Sequence, residues 1–277
     1  MVAGLLEGKV AIITGSGRGI GRADALLFAE HGASVVVNDL QEDAAQAVVE
    51  EIKKMGGKAV ACAGSVADAA FPDKIINTTI KTFGKLDILV NNAGYTWDSV
   101  IQNMTDEQWY AIIDCHLTGP FRLIRAATPF MREVAKKEMA EGKLQQRKII
   151  NISSTSGISG NPGQANYSAA KAGIVGMTKT LAKEWGRFGI NVNSIAYGFI
   201  DTRLTQAKEK EEKAEIGTGK EVAIGVPEAM RQMGIAMIPL GHPGTPREAA
   251  GPVLFLASPL SDYVSGVCIL VTGAAYC

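Results

Sequence analysis

The stretch TGSGRGIG, Thr14 to Gly21, follows an apolar run and precedes a helical pattern. Its glycines at positions 15, 17, 19 and 21 form a GxxxGxG turn rather than the literal GxGxxG pattern, because position 20 is Ile. Without Cβ atoms, the backbone can approach a pyrophosphate at the positively polarised N-terminus of a helix. The stretch therefore predicts a strand, a phosphate-binding turn and a helix, which is how a dinucleotide-binding α/β fold begins.

Further apolar runs rich in Val and Ile lack polar alternation, which is typical of parallel strands covered on both faces. The predicted strands cover residues 9–14, 33–39, 58–63, 86–92, 147–153, 190–196 and 267–273. The predicted helices lie near residues 20–31, 41–55, 69–83, 105–140, 167–187 and 247–257. This alternation predicts an α/β chain, a single domain over residues 1–277 with a Rossmann-like doubly wound parallel sheet.

The segment from Asp201 to Pro246 departs from this alternation. It starts with a charge-dense run at 205–215, and Gly217 and Gly219 between Ile216 and 222–224 favour a small hairpin. Long excursions after the C-terminal end of a strand are where α/β enzymes carry lids and specificity loops. We therefore predict a lid near residues 201–246.

Composition narrows the class of protein. The 277 residues are 47% apolar and 20% charged, which argues against disorder, and the formal net charge of +0 gives no general reason to expect nucleic acid or a membrane as partner. No apolar run is long enough to span a membrane, and no signal peptide is evident. Four cysteines without metal-ligand spacing and three histidines predict no metal site and fit a soluble cytoplasmic protein.

Two residues bear on the choice of dinucleotide. Asp39 ends the second predicted strand eighteen residues past Gly21, where a carboxylate can accept both adenine-ribose hydroxyls and repel a 2′-phosphate. Arg18, in the glycine turn, could instead bind a 2′-phosphate. Because phosphate beside a carboxylate carries repulsion and desolvation costs, we rank Asp39 above Arg18 and predict NAD, with NADP as the alternative.

Ser154, Tyr167 and Lys171 are predicted to form a group that carries out acid/base catalysis. Tyr167 and Lys171 are four residues apart in NYSAAKAG (166–173), so a helix places them on one face. An ammonium near a phenol favours the phenolate, and the sequence therefore predicts a lowered pKa for Tyr167. A tyrosine tuned in this way can exchange a proton with an alcohol or a ketone.

The order of TGSGRGIG, Asp39, NNAG (91–94), Ser154 and YSAAK resembles the short-chain dehydrogenase/reductase family over essentially the whole chain. The likeness is greatest to 3-oxoacyl-thioester reductases, through GQANY, and to hydroxyacyl-CoA dehydrogenases, through VVVNDL (35–40). The NNAG amides are also placed to tie neighbouring strands together.

The resemblance implies a role for each catalytic residue. Tyr167 is the general acid/base, Lys171 lowers its pKa and binds the nicotinamide ribose, and Ser154 stabilises charge on the substrate oxygen. His116 occupies the position of the family's usual fourth residue, an asparagine. A histidine there would titrate near neutrality and add a pH dependence, unless it is satisfied locally.

The residues predicted to bind the dinucleotide include Ser65, which stands where the family often has an aspartate near the adenine, and two residues that match positions holding the carboxamide, Ile200 and Thr202. The full predicted set is Gly15, Ser16, Arg18, Gly19, Ile20, Gly21, Asp39, Leu40, Ser65, Val66, Asn92, Ala93, Gly94, Tyr167, Lys171, Ile200 and Thr202.

The predicted activity is an NAD-dependent interconversion of a secondary alcohol and a ketone, most readily a 3-hydroxyacyl/3-oxoacyl thioester of CoA or acyl carrier protein. Two alternatives stay open: a cyclic, steroid-like or other small alcohol as substrate, and an NADPH-dependent 3-oxoacyl-[acyl-carrier-protein] reductase. A non-catalytic nucleotide-binding subunit is disfavoured, because such proteins typically lose the Tyr or the Lys. The resemblance also implies a homotetramer or dimer packed through the helices at 105–140 and 167–187, whose apolar residues exceed what one buried face needs.

Overall fold

The computed structural model describes residues 4–207, 213–215 and 220–276. Among these residues, seven parallel strands form one sheet in the order β3-β2-β1-β4-β5-β6-β9. Its strands are β1 Val10–Ile13, β2 Ser34–Val37, β3 Lys58–Ala61, β4 Ile88–Asn91, β5 Arg147–Ser154, β6 Ile190–Tyr197 and β9 Cys268–Val271. The predicted doubly wound α/β fold is confirmed, and each predicted strand is present.

The strand order reverses between β1 and β4, which are neighbours although β2 and β3 lie between them in sequence. In open α/β sheets this switch point creates a crevice outside the carboxyl ends of the strands. The glycine turn follows β1 and NNAG ends β4 and continues past it. The two motifs therefore lie on either side of the crevice.

Helices cover both faces of the sheet. The described helices of eight or more residues are α1 Gly19–Glu30, α2 Glu42–Lys54, α3 Phe71–Phe83, α4 Asp106–Ile113, α5 Gly119–Ala140, α7 Ala165–Trp185, α8 Glu228–Ala236 and α9 Pro246–Ala257, with a single turn, α6, at Ser156–Ser159. One core packs α1, α2 and α9 on one face, and a second packs α3, α5 and α7 on the other. Within the described part of the chain, every helix is too short or too polar to cross a membrane.

The helical stretch predicted near 105–140 is confirmed, since residues 106–140 are helical throughout, but its middle turn is not α-helical. A π-helical turn, Asp114–Thr118, separates α4 from α5. Pro120, in the first turn of α5, has no amide hydrogen to donate to the preceding turn, so the regular α-helical hydrogen-bond pattern is interrupted there. At Gly119 an added Cβ would lie 2.7 Å from the Val66 carbonyl oxygen, so the π-turn packs tightly against the loop after β3.

The lid is built from a hairpin and a helix. Strands β7 (Lys213–Glu215) and β8 (Glu221–Ala223) pair antiparallel, and α8 follows. The predicted hairpin is therefore present, although Ile216, Gly217 and Gly219 lie outside the described residues. Its apolar side chains, Val222 and Ile224, pack on Tyr95 and Trp97 of the loop after β4.

Asp24 lies inside the layer between the sheet and helices α1 and α9. Its carboxyl is fully buried, and neither oxygen has a hydrogen-bond partner among the described residues. The nearby Tyr197 hydroxyl donates to the Ala249 carbonyl oxygen at 2.8 Å. Burial raises the pKa of Asp24 well above its ordinary 3.8, so the folded protein keeps this carboxyl protonated.

The pH dependence of stability tests this assignment. A carboxyl with a raised pKa in the folded state destabilises the fold progressively as pH rises from 3.8 towards the folded-state pKa, because only the unfolded chain ionises. Asp24→Asn removes that loss. We expect the free energy of unfolding of the variant to gain about 1.4 kcal/mol per pH unit relative to the wild type in this window, measured by urea denaturation.

Exposed Asp43 in the first turn of α2 is the matched control. Asp43→Asn should not show the gain in stability with rising pH that is expected of Asp24→Asn. Parallel stability curves for the wild type and Asp24→Asn would show that Asp24 is ionised in the folded protein.

Candidate active site

One cavity of about 620 Å³ opens at the carboxyl ends of β1, β4, β5 and β6. It is lined by every predicted site residue except Ser16. The glycine turn and Asp39 border one end, and Ser154, Tyr167 and Lys171 border the other. The predicted site residues in this cleft, from Gly15 to Thr202, are separated by up to 187 positions in sequence.

The glycine turn is braced by Asn92. The Asn92 side-chain amide donates to the Thr14 and Gly15 carbonyl oxygens at 2.9 and 3.1 Å. A Cβ at Gly21 would lie 2.3 Å from the Gly15 oxygen and 2.5 Å from this amide. Gly15 has φ +63°, and a Cβ there would meet Ala93 at 2.7 Å. Glycine is therefore required at both positions, and the predicted tie between NNAG and a neighbouring strand is confirmed.

Ser16 is placed differently from the prediction. It is fully buried, and its hydroxyl donates to the Ile13 carbonyl oxygen at 2.7 Å. The Ser16 hydroxyl oxygen also accepts a hydrogen bond from the Asn38 backbone N–H at 3.1 Å. Ser16 therefore holds the turn in shape from behind rather than lining the cavity.

Asn38 is a residue that the sequence analysis missed. Its side-chain oxygen accepts from the Gly15 amide at 3.1 Å, and its amide group donates to the Cys62 and Gly64 carbonyl oxygens, both at 3.0 Å. It thereby joins the ends of β1, β2 and β3. Its only sequence signal is its position directly before Asp39 at a strand end.

Asp39 and Arg18, which favour different dinucleotides, form an ion pair at 3.6 Å. The Asp39 side chain is only 13% exposed, and its Oδ1 also accepts from the Gln41 amide at 3.1 Å. Arg18 donates further to the Gln41 side chain at 2.6 Å. A Cβ at Gly17 would lie 2.5 Å from Asp39 Oδ2, so the carboxylate abuts the glycine turn.

The remaining predicted dinucleotide-binding residues fall into two groups. Leu40, Ser65 and Val66 line the cavity beside Asp39, and the Ser65 hydroxyl accepts from the Ala67 amide at 3.2 Å. Ile200 and Thr202 line it beyond β6, where the Thr202 methyl lies 3.7 Å from the position of a Cβ at Gly19. Thr202 therefore sits over the N-terminus of α1.

The catalytic residues come from β5 and α7. Ser154 ends β5, while Tyr167 and Lys171 lie on α7, which is pinned to the strand by the Ser153 hydroxyl donating to the Lys171 carbonyl oxygen at 2.8 Å. The Lys171 ammonium lies 5.5 Å from the centre of the Tyr167 ring and donates to the Ile152 carbonyl oxygen at 2.7 Å.

Burial controls the protonation of this pair. It raises the pKa of Tyr167 to about 12, although a hydrogen bond with Ser154 lowers it in part. Burial also lowers the pKa of Lys171 to about 8. The prediction that the Tyr167 pKa is lowered is therefore wrong for this structure. Desolvation of the phenolate raises the pKa of Tyr167 by more than any attraction to the Lys171 ammonium lowers it. At neutral pH, Tyr167 carries its proton.

His116 lies in the π-turn, a feature common at functional sites. Its Nε2 is 2.7 Å from the Tyr95 carbonyl oxygen and 3.3 Å from the Tyr95 backbone nitrogen. Because the shorter contact is to a carbonyl oxygen, which can only accept, we assign the proton to Nε2. The imidazole packs edge-on to the Tyr167 ring at 5.0 Å between centres. A Cβ at Gly94 would lie 2.2 Å from its Cε1, so only glycine leaves room for the ring.

The expectation that His116 titrates near neutrality is wrong. Burial, followed by the charge of Lys171, lowers its pKa well below 6.5, so the imidazole stays neutral at physiological pH. Nδ1 is buried with no hydrogen-bond partner among the described residues.

The structure also bears on metals and thiols. Across residues 4–207, 213–215 and 220–276, no three or more His, Cys, Asp or Glu side chains are grouped so that they could hold a metal ion. Cys62, Cys115 and Cys268 are free thiols, and Cys277 lies outside the described residues.

A glycine turn at the switch point and a Ser–Tyr–Lys group in the same cavity define a class of dinucleotide-dependent oxidoreductases. The family model for short chain dehydrogenases matches residues 9–213, and the chain belongs to this family. It is therefore an oxidoreductase that acts on a CH–OH group with NAD or NADP.

Curated relatives are similar over nearly their whole length. The 3-oxoacyl-[acyl-carrier-protein] reductase of Synechocystis sp. is 42% identical over 270 residues, covering 97% of each chain. The reductase FabG of Staphylococcus aureus is 41% identical over 271 residues, covering 97% of this chain and 98% of that one. FabG of Thermotoga maritima is 38% identical over 268 residues, with the same coverage.

Proposed function

We propose that this enzyme interconverts 3-hydroxyacyl and 3-oxoacyl thioesters, carried by coenzyme A or acyl carrier protein, with NAD as its cofactor. The observation that carries the proposal is the single cavity joining the glycine turn and Asp39 to Ser154, Tyr167 and Lys171. Relatives that cover 97% of the chain and bear the name 3-oxoacyl-[acyl-carrier-protein] reductase support the substrate class.

The residues divide the chemistry as follows. When bound, the nicotinamide supplies or accepts the hydride. Ser154 donates a hydrogen bond to the substrate oxygen and stabilises charge that develops there. In reduction, Tyr167 gives its proton to that oxygen as the carbonyl becomes an alcohol. Lys171 fits the nicotinamide ribose, and His116 positions the phenol through the edge-on contact of the two rings.

The walls of the cavity suit an acyl group. Beyond the catalytic hydroxyls, the lid and the loop before it contribute mainly apolar side chains: Phe199, Ile224, Met230, Met237 and Ile238. Methionine side chains adapt to chains of different shape. The apolar wall therefore supports a substrate with a hydrocarbon portion beside its reacting carbonyl.

Tyr167→Phe tests the proposed reaction. Loss of the phenolic proton should reduce turnover of an acetoacetyl thioester by about 10²- to 10⁴-fold, while NADH still binds. Absorbance of the reduced nicotinamide follows turnover, and its fluorescence follows binding. Tyr110→Phe is the matched control, since Tyr110 is 61% exposed on α4 and should be dispensable. Full activity in Tyr167→Phe would show that Tyr167 is not the proton donor and would contradict the proposed mechanism.

The preference for NAD over NADP rests on the ion pair of Asp39 with Arg18. Asp39 offers a largely buried carboxylate at the ribose end, and Arg18 is already engaged by Asp39 and Gln41. A 2′-phosphate would have to displace this pairing and lie beside a negative charge. A ribose with free hydroxyls meets no such penalty.

Asp39→Ala should relax the preference. We expect kcat/KM with NADPH, relative to NADH, to rise tenfold or more, which corresponds to about 1.4 kcal/mol, because the repulsion is lost and Arg18 is freed. Glu42→Ala, in the exposed first turn of α2, is the control and should leave the ratio unchanged. A wild type that prefers NADPH would show that Arg18 outweighs Asp39.

We further propose a homotetramer or dimer. On the helices expected to form the subunit interface, Ile112, Leu123 and Ile174 are buried within the chain and are not available for it. Phe121, on α5, is 46% exposed. An exposed aromatic side chain beside Arg125, which stacks on it at 4.9 Å, supports contact through this helix.

A further inference from the structure

Asn166 directly precedes Tyr167 in the first turn of α7 and has no part in the reaction described above. Its side chain is fully buried. The side-chain oxygen accepts from the Tyr167 backbone N–H at 2.8 Å. Because the first N–H groups of a helix find no acceptor within the helix, this bond supplies the acceptor from outside the helical pattern. Asn166 therefore holds the backbone of the residue that carries the reacting phenol.

The amide group of Asn166 binds two other segments. It donates to the Trp97 carbonyl oxygen, in the loop between β4 and α4, at 3.2 Å and to the Gln108 carbonyl oxygen of α4 at 3.0 Å. Carbonyl oxygens only accept and a backbone N–H only donates, so the three partners allow one orientation of this side chain. Asn166 thus joins the loop at 95–99, α4 and the start of α7.

The loop at 95–99 is tied to the catalytic centre at both of its ends. The Tyr95 carbonyl oxygen lies 2.7 Å from His116 Nε2. The Ser99 N–H donates to the Gly163 carbonyl oxygen at 2.8 Å, just before α7. Trp97 lies between these two contacts, so its carbonyl oxygen has a defined place beside the π-turn and α7.

The lid rests on this loop. Val222, on β8, and Ile224, directly after it, are only 7% and 3% exposed, and they pack on Tyr95 and Trp97. Trp97 therefore contacts both the lid and Asn166. A contiguous path of packed and hydrogen-bonded groups runs from the lid through Trp97 and Asn166 to the Tyr167 backbone.

We propose that Asn166 is a positioning residue through which the lid sets the place of the Tyr167 phenol. The inference deepens the proposed function and rests on Tyr167 being the proton donor of that reaction. With the lid packed on Trp97, the Trp97 carbonyl holds Asn166, and Asn166 holds the turn of α7 that carries the phenol. A misplacement of about 1 Å at a reacting group costs on the order of 100-fold in rate, so this tie matters for catalysis.

Asn166→Ala tests the positioning role. With NADH and the acetoacetyl thioester of N-acetylcysteamine, kcat and kcat/KM should both fall about 10- to 100-fold, because the placement of the proton donor changes. The KM of the thioester and the dissociation constant of NADH should each change less than about twofold, because the groups that bind them stay in place. An unchanged kcat would overturn the proposal.

Asn191→Ala is the matched control. The Asn191 amide likewise donates to two carbonyl oxygens, those of Asp262 and Val264 at 3.0 and 3.1 Å, and its oxygen accepts from Lys148 at 3.0 Å. Asn191 lies near the amino end of β6, whereas the cavity opens at the carboxyl end. Both variants should lower the free energy of unfolding in urea, but Asn191→Ala should keep the wild-type kcat. Equal losses of kcat in the two variants would show a general structural effect and overturn the positioning role.

A double-mutant cycle tests the link to the lid. Val222→Ala weakens the lid contact with Trp97 and should lower kcat about 3- to 10-fold in the wild type, but less than about twofold in Asn166→Ala, where the path is already cut. Met237→Ala changes a cavity-lining lid residue directly after α8, and its effect should be the same in both backgrounds. An equal effect of Val222→Ala in both backgrounds, or none in the wild type, would overturn the link.

The outcomes also distinguish this proposal from the proposed function. If methyl acetoacetate is reduced and the thioester is not, the thioester assignment fails, and the same cycle is measured with the ester. If Tyr167→Phe loses activity while Asn166→Ala keeps it, only the role of Asn166 fails. If Asn166→Ala does not fold, Asn166→Ser takes its place in the cycle, because a serine hydroxyl can serve the helix N-terminus but does not reach both carbonyl oxygens.

Discussion

A buried chain of hydrogen bonds joins the three elements on which the active site depends. The Asn91 amide donates to the Asn151 side-chain oxygen at 2.8 Å, and the Asn151 amide donates to the Thr178 hydroxyl at 2.9 Å. Asn91 and Asn151 are also direct partners in the register of β4 and β5. The chain thus links the NNAG strand, the strand ending in Ser154 and the helix that carries Tyr167 and Lys171. Buried polar groups must be paired, so these contacts admit one arrangement of the three elements.

The packing of these three elements places the catalytic residues in an interior of low polarity. The same packing that aligns Tyr167, Lys171 and His116 removes water from them, so each is shifted towards its neutral form. A protonated phenol is the form needed to reduce a ketone. Position and protonation therefore have one cause, the burial of α7 and the π-turn against β5.

Much of the fold and of the active site could be predicted from the sequence, because the strand patterns and the motifs are local features of the chain. Parallel strands buried on both faces read as unbroken apolar runs, and the motif residues retain their spacing whatever the surroundings. The π-turn at 114–118 is followed by Gly119, whose close approach to the Val66 carbonyl oxygen is a long-range contact that no local pattern reveals. The pKa of Tyr167 depends on burial, and the ion pair of Arg18 with Asp39 joins two residues that are 21 positions apart in sequence. Long-range packing decides each of these.

The central claim is that the dinucleotide and the substrate carbonyl meet in one cavity over Ser154 and Tyr167. The most direct measurement is the transfer of deuterium from 4-deuterated NADH to an acetoacetyl thioester, followed by mass spectrometry of the 3-hydroxyacyl product. With NADH deuterated on one face of C4 and then on the other, we expect one deuterium at C3 of the product from one labelled form and none from the other. A product without deuterium from both labelled forms, or no product with either NADH or NADPH, would contradict this claim.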